Sequence, residues 1–508
     1  MLDVPVHVNT PVHVNATESC ANKNMLDPWI ALGMLALCLC FACITLADDS
    51  VEGVQRSPNI VMLIADDQQY SDFGFMGNLR VQTPNLDELA RGSAIYTYAY
   101  VPSSVCRPSL VTLLTGLYPH QHGVHFNHPP PGFARLTKSP GIGKAEFDQL
   151  RQRAITLVRK RPTLPRLLAA RGYRCFQTGK YWEGHWKNAG FTEGMTITQP
   201  SGGLYGDKQL ANGDWVAHGN GDHGLAIGRE TMEPIATFLD DVQQDPFLLW
   251  YAPFLPHTPH DSPERYKQAV AENPDVKPHE IPYFAAIMQF DETVGQLMQM
   301  IEKRGLRDNT LFVFVSDNGW APDPMRFRKS KKEWDHTRTS KRSPFEPGLR
   351  TPILIRWIGR TKAGKHSALV STIDLMPTLL DAAGVKNRPE DLPGTSLWPS
   401  AIGQKTLSPE RAVFGAIYPG DASTLGVPEK DLAYRWVRKG RYKLIVPKPR
   451  GTQSPWNEYV DSPALFDLAS DPHERKNLIH DPSLASVITS LSKILDDWWS
   501  PHALNGDL

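Results

Sequence analysis

Two short pairs in the chain carry oxygen donors at matching places: Asp66-Asp67 closes IVMLIADD, and Asp317-Asn318 closes FVFVSDN. Together they offer three carboxylates and one amide oxygen. Negative charge gathered in this way is costly unless a cation sits within it. An all-oxygen donor set suits a hard ion, calcium or magnesium. One such pair alone reads better as a turn or a helix cap; its recurrence at a second strand end shifts the reading toward a metal. Three basic groups sit in comparable positions. Lys180 follows Thr178-Gly179, His257 follows Pro256, and Lys341 lies in the run Arg338-Thr339-Ser340-Lys341-Arg342. Cys106 heads CRPSLVTLLTG, where a thiol opens an apolar run.

The residues before these groups must position them. Runs 60–64, 173–177, 247–251 and 311–315 are nearly continuous in apolar residues. Such runs suit strands buried on both faces, as in parallel sheets. Helical patterns lie between them. One opens at Thr83-Pro84 and stops at Gly92, another runs from Pro162 to Gly172, and the longest spans about 281–305. In the last, Ile287, Phe290, Val294, Leu297 and Ile301 recur at helical spacing. Strands alternating with helices predict an α/β domain whose site lies beyond the carboxyl ends of the strands. All four polar motifs fall at that end. From about residue 400 the pattern changes. Segments 433–438 and 442–446 read as a hairpin around Lys439-Gly440, followed by a strand at 464–468 and a closing helix at about 482–499. This predicts a smaller C-terminal α+β domain (401–508) with an antiparallel sheet, after a catalytic domain at 57–400. Segment 386–410 is the expected connection.

Bulk properties exclude some classes. The chain has 508 residues, 41% hydrophobic and 21% charged, as in globular proteins. Lys+Arg and Asp+Glu balance at 54 each, so no overall field points to nucleic acid or a membrane surface. The one long apolar run, 29–47, ends in Thr45-Leu46-Ala47 before Asp48-Asp49. It reads as the core of a signal peptide over 25–47, with export as the consequence. Residues 1–24, which repeat VPVHVN as TPVHVN, read as a dispensable extension. The run is also near spanning length, so an uncleaved leader would be a membrane anchor. Cys20, Cys38, Cys40 and Cys43 fall in this leader region, leaving Cys106 and Cys175. These could form one disulfide, or one could be kept for chemistry. Cys175, inside YRCFQ, reads as a small buried hydrophobe.

Taken together, SPNIVMLIADD (57–67), CRPSLVTLLTGLYPHQHG (106–123), GYRCFQTGKYW (172–182), PHTPH (256–260), SDNG (316–319) and KRSPFEPGLRTP (341–352) resemble the sulfatase family, within the alkaline-phosphatase superfamily. GRYKLI (440–445) and LFDLASDPHERKNL (465–478) resemble that family's C-terminal domain. The resemblance implies an alkaline-phosphatase-like fold, with a mainly parallel sheet flanked by helices. It implies metal binding by Asp66, Asp67, Cys106, Asp317 and Asn318, with calcium expected and magnesium the alternative. It further implies that Cys106 is oxidised to formylglycine by a maturation enzyme, and that Lys180, His257 and Lys341 hold sulfate and assist the leaving group. The expected substrate is a sulfate ester, on sulfated carbohydrate by family analogy. A sulfate monoester is anionic, so the metal and both lysines suit it. A hydrated aldehyde has one oxygen to attack sulfur and a second whose deprotonation expels sulfate. His257, expected to titrate near neutrality, would protonate the leaving alcohol.

The chain departs from the family pattern twice. Leu110 stands where Cys-x-Pro-Ser-Arg has arginine, and it offers neither charge nor hydrogen bond. Arg107 occupies the variable position and is expected to point elsewhere. Trp182 stands where Gly-Lys-x-His has histidine, with Glu183 and His185 near enough to compensate. Two other readings therefore stay open: a phosphate or phosphonate ester hydrolase using a Cys106 thiolate, and a non-catalytic protein binding sulfated glycan. His120 and His122 lie after the Cys106 helix without an assigned role. Segments 326–342 and 218–223 are candidate pocket rims.

Overall fold

The computed structural model describes residues 57–199, 207–320, 339–418, 421–448 and 459–501. The proposed extension and signal peptide, and most of the basic rim at 326–342, lie outside the described residues. The four apolar runs form strands: β1 (Asn59–Ala65), β3 (Arg174–Gly179), β4 (Phe247–Ala252) and β5 (Thr310–Ser316). They are neighbours in the order β5-β1-β4-β3, and every pairing among them is parallel. Their side chains alternate between two cores. Ile60, Met62 and Ile64 face one, with Trp250 and Val313; Val61, Leu63 and Ala65 face the other, with Tyr251 and Phe314. Burial on both faces is what makes each run continuously apolar.

The sheet is mixed rather than all parallel. Strands β2 (Ala94–Tyr100) and β6 (Arg350–Trp357) extend it beyond β5, and β6 runs antiparallel to both β5 and β2. Helices cover both faces. On the first lie α2 (Cys106–Thr115), α4 (Leu164–Ala169) and α7 (Leu375–Ala382); on the second lie α1 (Pro84–Arg91), α5 (Glu233–Asp241) and α6 (Ile281–Lys303). α6 directs Phe290, Val294, Leu297 and Ile301 into the core, as their spacing predicts. A further helix, α3 (Lys144–Arg159), had no place in the sequence reading. Among the described residues, no helix is long and apolar enough to cross a membrane.

Two glycines fix how the strands end. Gly179 has φ +70°, and a Cβ there would lie 1.9 Å from the Ala252 carbonyl oxygen. Only glycine permits the turn that sends Lys180 across the end of β4. At Gly319 a Cβ would lie 1.7 Å from the Pro347 carbonyl oxygen, so glycine lets the 340–349 segment close over Asp317-Asn318.

That segment is held from the other side by the second sheet. Strands β7 (Ala412–Ile417), β8 (Tyr434–Lys439), β9 (Tyr442–Pro447) and β10 (Ala464–Asp467) form an antiparallel sheet in chain order. One face packs Val437, Leu444 and Leu465 on α8 (Ala485–Trp498). The other packs Trp436, Ile445 and Phe466 against Phe345 and Leu349. Between the sheets lies a buried polar network. Glu346 accepts from the Tyr100 hydroxyl at 2.7 Å and pairs with Lys443 at 3.2 Å. Lys443 also meets Glu474 at 2.9 Å, and Glu474 accepts from the Glu346 backbone N–H at 2.6 Å. Removing one partner of such a buried pair typically costs about 3–5 kcal/mol, because the remaining charge stays buried. Lys443→Met removes the cation that Glu346 and Glu474 share and leaves only Arg438, 3.3 Å from Glu346, so equilibrium urea unfolding should show a loss approaching that size. A loss below about 1 kcal/mol, the range of exposed pairs, would contradict the network's structural role.

Candidate active site

The four parallel strands release their polar residues at one edge of the sheet. β1 delivers Asp66 and Asp67, β5 delivers Asp317 and Asn318, β3 delivers Lys180, and the loop after β4 delivers His257. Adjacent strands lie about 4.8 Å apart, so these groups are forced together. Lys180 Nζ lies 2.5 Å from Asp66 Oδ1 and 3.7 Å from Asp317 Oδ2. Lys341 Nζ lies 2.5 Å from Asp67 Oδ1 and 2.9 Å from the Cys106 sulfur. The sulfur is 3.9 Å from Asp66 Oδ1 and 3.7 Å from Asp67 Oδ1. His257 Nε2 is 3.4 Å from Asp67 Oδ2. Every residue in the predicted set is therefore in one cluster.

Burial dominates its electrostatics. It pushes Asp66 well above the usual carboxylate range and raises Asp317, in both cases against the pull of Lys180. It also works against ionisation of Asp67, but there Lys341, His257 and Lys180 win and hold the carboxyl low. Lys180 and Lys341 remain charged because their carboxylate neighbours outweigh burial. The expectation that His257 titrates near neutrality is not met. Burial, reinforced by the two lysines, holds the imidazole well below its ordinary range despite Asp67. Its Nδ1 lies 2.5 Å from the Thr258 carbonyl oxygen, which assigns the ring proton to Nδ1 and turns Nε2 toward the cluster. Burial likewise pushes the Cys106 thiol up to about 12, with the lysines opposing.

The oxygens pass a simple test for a cation. Asp66 Oδ2, Asp317 Oδ2 and Asn318 Oδ1 are buried without a hydrogen-bond partner. The Asn318 amide donates to Asp67 Oδ1 and the Gly319 carbonyl, which leaves its oxygen free. Buried unpaired oxygens of this kind are rare and call for an ion or water. Ligand atoms of Asp66, Asp67, Cys106 and His257 also lie within 4.8 Å of one another.

Cys106 is the first residue of α2, where unpaired backbone N–H groups favour an anion. The helix then explains both departures. Leu110 is 3% exposed and packs in the first core with Leu113 and Leu114, so no basic group takes the missing arginine's place from this position. Arg107 points away from the cluster: it pairs with Glu183 at 2.6 and 2.8 Å and lies over Phe126. Glu183 is thereby committed to Arg107. His185 is half-buried, and its Nδ1 accepts from the Lys187 backbone N–H. Neither therefore compensates for the histidine absent at Trp182. The two cysteines are free thiols rather than a disulfide, and Cys175 is buried in β3 as expected. His120 stacks on Trp499, and His122 bonds Thr112 within the fold, so both are packing residues.

A cavity of about 280 Å³ opens on the cluster. Cys106, Lys180, His257 and Lys341 line it, together with Trp182, His128, His218 and Asn220. His218 lies in the expected rim 218–223. His128 escaped the sequence reading: it meets His218 across 90 residues, and no local pattern marks that contact.

The family model described as Sulfatase matches residues 58–385, and one described as N-sulphoglucosamine sulphohydrolase, C-terminal, matches 334–500. The chain is 29% identical over 467 residues to arylsulfatase A of Homo sapiens, covering 84% of each chain. It is 27% identical over 492 residues to N-acetylgalactosamine-6-sulfatase of Mus musculus, covering 88% of this chain and 86% of the relative. Among solved structures, Ps i-CgsB in complex with k-i-k-neocarrahexaose superposes with a TM-score of 0.62 at 24% identity, covering 88% of this chain and 94% of that one. A structure solved with its substrate D-glucosamine-2-N,6-O-disulfate gives a TM-score of 0.60 at 19% identity, covering 87% and 97%. The fold and the converging strand ends define an α/β protein with a charged site at one sheet edge. The chain belongs to the sulfatase family and is a sulfuric ester hydrolase.

Restoring the family arginine at position 110 should not help this chain. Leu110→Arg would place a charge among apolar core side chains, at a cost of several kcal/mol. We expect lower stability in urea unfolding and no gain in turnover; an active, equally stable variant would show that the position still faces the site.

Proposed function

We propose that this enzyme hydrolyses sulfate esters of carbohydrate by way of a formylglycine made from Cys106 by a maturation enzyme. The observation that carries the reading is the placement of the Cys106 sulfur 2.9 Å from Lys341 Nζ and beside Asp66 and Asp67, on the wall of a cavity. Asp66, Asp67, Asp317 and Asn318 would hold a divalent cation, calcium before magnesium, since the donors are oxygens. Cys106 completes that set once it carries oxygen. A divalent ion would draw all three carboxyls into their ionised form, and with the two ammonium groups it would give the cluster the net positive sign that suits an anionic ester. The ion would supply Lewis-acid stabilisation of negative charge on the sulfate. The formylglycine, as its hydrated aldehyde, would supply an oxygen to attack sulfur and a second oxygen whose deprotonation re-forms the aldehyde as the carbon–oxygen bond to sulfate breaks.

The chain's own residues do the remainder. Lys180 and Lys341 hold the sulfate oxygens and stabilise charge that grows in the transition state. His257 presents Nε2 to the reaction centre, fixed by its Nδ1 bond to Thr258. The bound ester adds negative charge beside it and favours the imidazolium, which then protonates the leaving alcohol. Glycan as the substrate rests on the relatives, which include an N-acetylgalactosamine-6-sulfatase and neighbours solved with sulfated sugars. Action outside the cytoplasm follows from the signal-like run at 29–47. An unmodified Cys106 thiolate acting on phosphate or phosphonate esters is the rival, and the raised pKa of the buried thiol counts against it.

Paired esters test this reading. Protein produced with its maturation enzyme should release sulfate from 4-nitrophenyl sulfate or sulfated oligosaccharide faster than phosphate from 4-nitrophenyl phosphate. Lys341→Ala should lower kcat by about 10²–10³, and Asp317→Asn should remove the rise in melting temperature produced by added calcium. Preference for phosphate would favour the rival; binding of sulfated oligosaccharide without turnover would favour a binding protein.

A further inference from the structure

Three of the residues lining the cavity, Trp182, His128 and His218, offer ring nitrogens rather than formal charges. Nε2 of His218 lies 2.9 Å from Nδ1 of His128. The loop carrying His218 is anchored from three sides. Arg151 donates to the Ala217 carbonyl at 3.4 Å, the Tyr181 N–H donates to the Asn220 carbonyl at 3.0 Å, and the Thr196 hydroxyl donates to the Gly221 carbonyl at 3.0 Å. His128 follows Asn127, whose side chain accepts from the Arg107 backbone N–H at 2.9 Å and so ties it to the start of α2. Phe133 packs on both imidazoles, with ring centroids 5.3 and 5.6 Å away. The indole of Trp182 sets its ring edge-on to both, at 5.8 and 5.1 Å.

Two polar atoms in this wall lack partners. Trp182 is 3% exposed, and its indole nitrogen has no hydrogen-bond partner; Nδ1 of His218 is likewise buried and unpaired. A buried N–H without a partner is costly, and a bound ligand that accepts from it removes that cost. Burial holds both imidazoles uncharged, with nearby cations acting in the same direction. A neutral pair sharing one proton has a simple property. Whichever ring donates, one outer nitrogen of the pair is left as a donor and the other as an acceptor. That matches a hydroxyl group, which both donates and accepts.

We propose that Trp182, His128 and His218 form a neutral subsite that binds uncharged hydroxyl groups of the sugar bearing the scissile sulfate. This rests on the proposed sulfatase reaction and adds the part of the substrate that the reaction itself does not specify. The tryptophan at position 182 then has a positive use: it gives up a second imidazole near the nucleophile and supplies a flat apolar face with one N–H. Sites that hydrogen-bond a substrate hydroxyl discriminate strongly against analogues without it, because their buried groups are then left unpaired. The subsite should therefore select a sugar ring with free hydroxyls over an aryl group of similar size.

The test compares 4-nitrophenyl sulfate, which has no hydroxyl, with a panel of singly O-sulfated galactose, glucose and N-acetylhexosamines. In the wild type at least one sugar sulfate should exceed the aryl ester in kcat/KM. Trp182→Phe keeps the ring but removes the N–H, and His128→Phe breaks the pair. Each should lower the ratio of sugar to aryl kcat/KM by about tenfold or more, mainly through KM, and His128→Asn should restore part of it. An unchanged ratio in both variants, or no sugar sulfate preferred by the wild type, would overturn the subsite while leaving the sulfatase reading intact. A wild type inert toward every sulfate ester would remove the underlying reading as well.

Discussion

Three carboxylates buried at the mouth of one sheet are the constraint around which the rest of the structure is arranged. Asp66, Asp67 and Asp317 are each 2% exposed or less. Charges so placed cannot remain uncompensated. Two lysines arrive from different parts of the chain to meet them: Lys180 through the glycine turn after β3, and Lys341 through a segment that closes over Gly319. The second arrival depends on the small sheet, whose Lys443 and Glu474 hold Glu346 in place. A residue near the end of the chain thus helps determine where a cation stands beside Cys106. With a divalent ion among them and all three carboxyls ionised, the cluster would be net positive, which is the sign an anionic ester requires.

Positive charge in this chain is distributed differently from the pattern its family motif suggests. The arginine one turn into the Cys106 helix is replaced by Leu110, which joins the core. The arginine directly after the cysteine is spent on a buried pair with Glu183, whose geometry is bidentate and backed by Phe126. That pair braces the start of α2 against the loop after Lys180. It does not reach the sulfur. In the proposed mechanism the stabilisation of sulfate would therefore fall on Lys180, Lys341 and the metal, with fewer donors than the family pattern provides. Trp182 continues the same trend, exchanging a titratable group for an apolar surface on the cavity wall.

Much of this was legible in the sequence, for a physical reason. Strands buried on both faces must be continuously apolar, so their ends are visible, and parallel neighbours must release their next residues at the same edge. Asp66, Lys180, His257 and Asp317 could therefore be grouped without coordinates. The insertion of β6 between β2 and β5 was not visible, because an antiparallel strand in a two-faced core has the same composition. That Arg107 points away from the cluster was expected from its variable position, but its partners were not visible: Glu183, Phe126 and the Ala154 carbonyl, which accepts from it at 3.3 Å, are none of them local. The protonation of His257 reflects burial among two lysines, which a PHTPH motif does not encode. The contact of His128 with His218 depends wholly on the fold.

The account stands on the chemical state of one residue. Mass spectrometry of the peptide containing Cys106, from protein made with its native maturation machinery, tests it most directly. We predict that a substantial fraction carries the aldehyde of formylglycine despite Leu110. A free thiol at Cys106 in every molecule, in protein that still hydrolyses sulfate esters, would contradict the proposed mechanism.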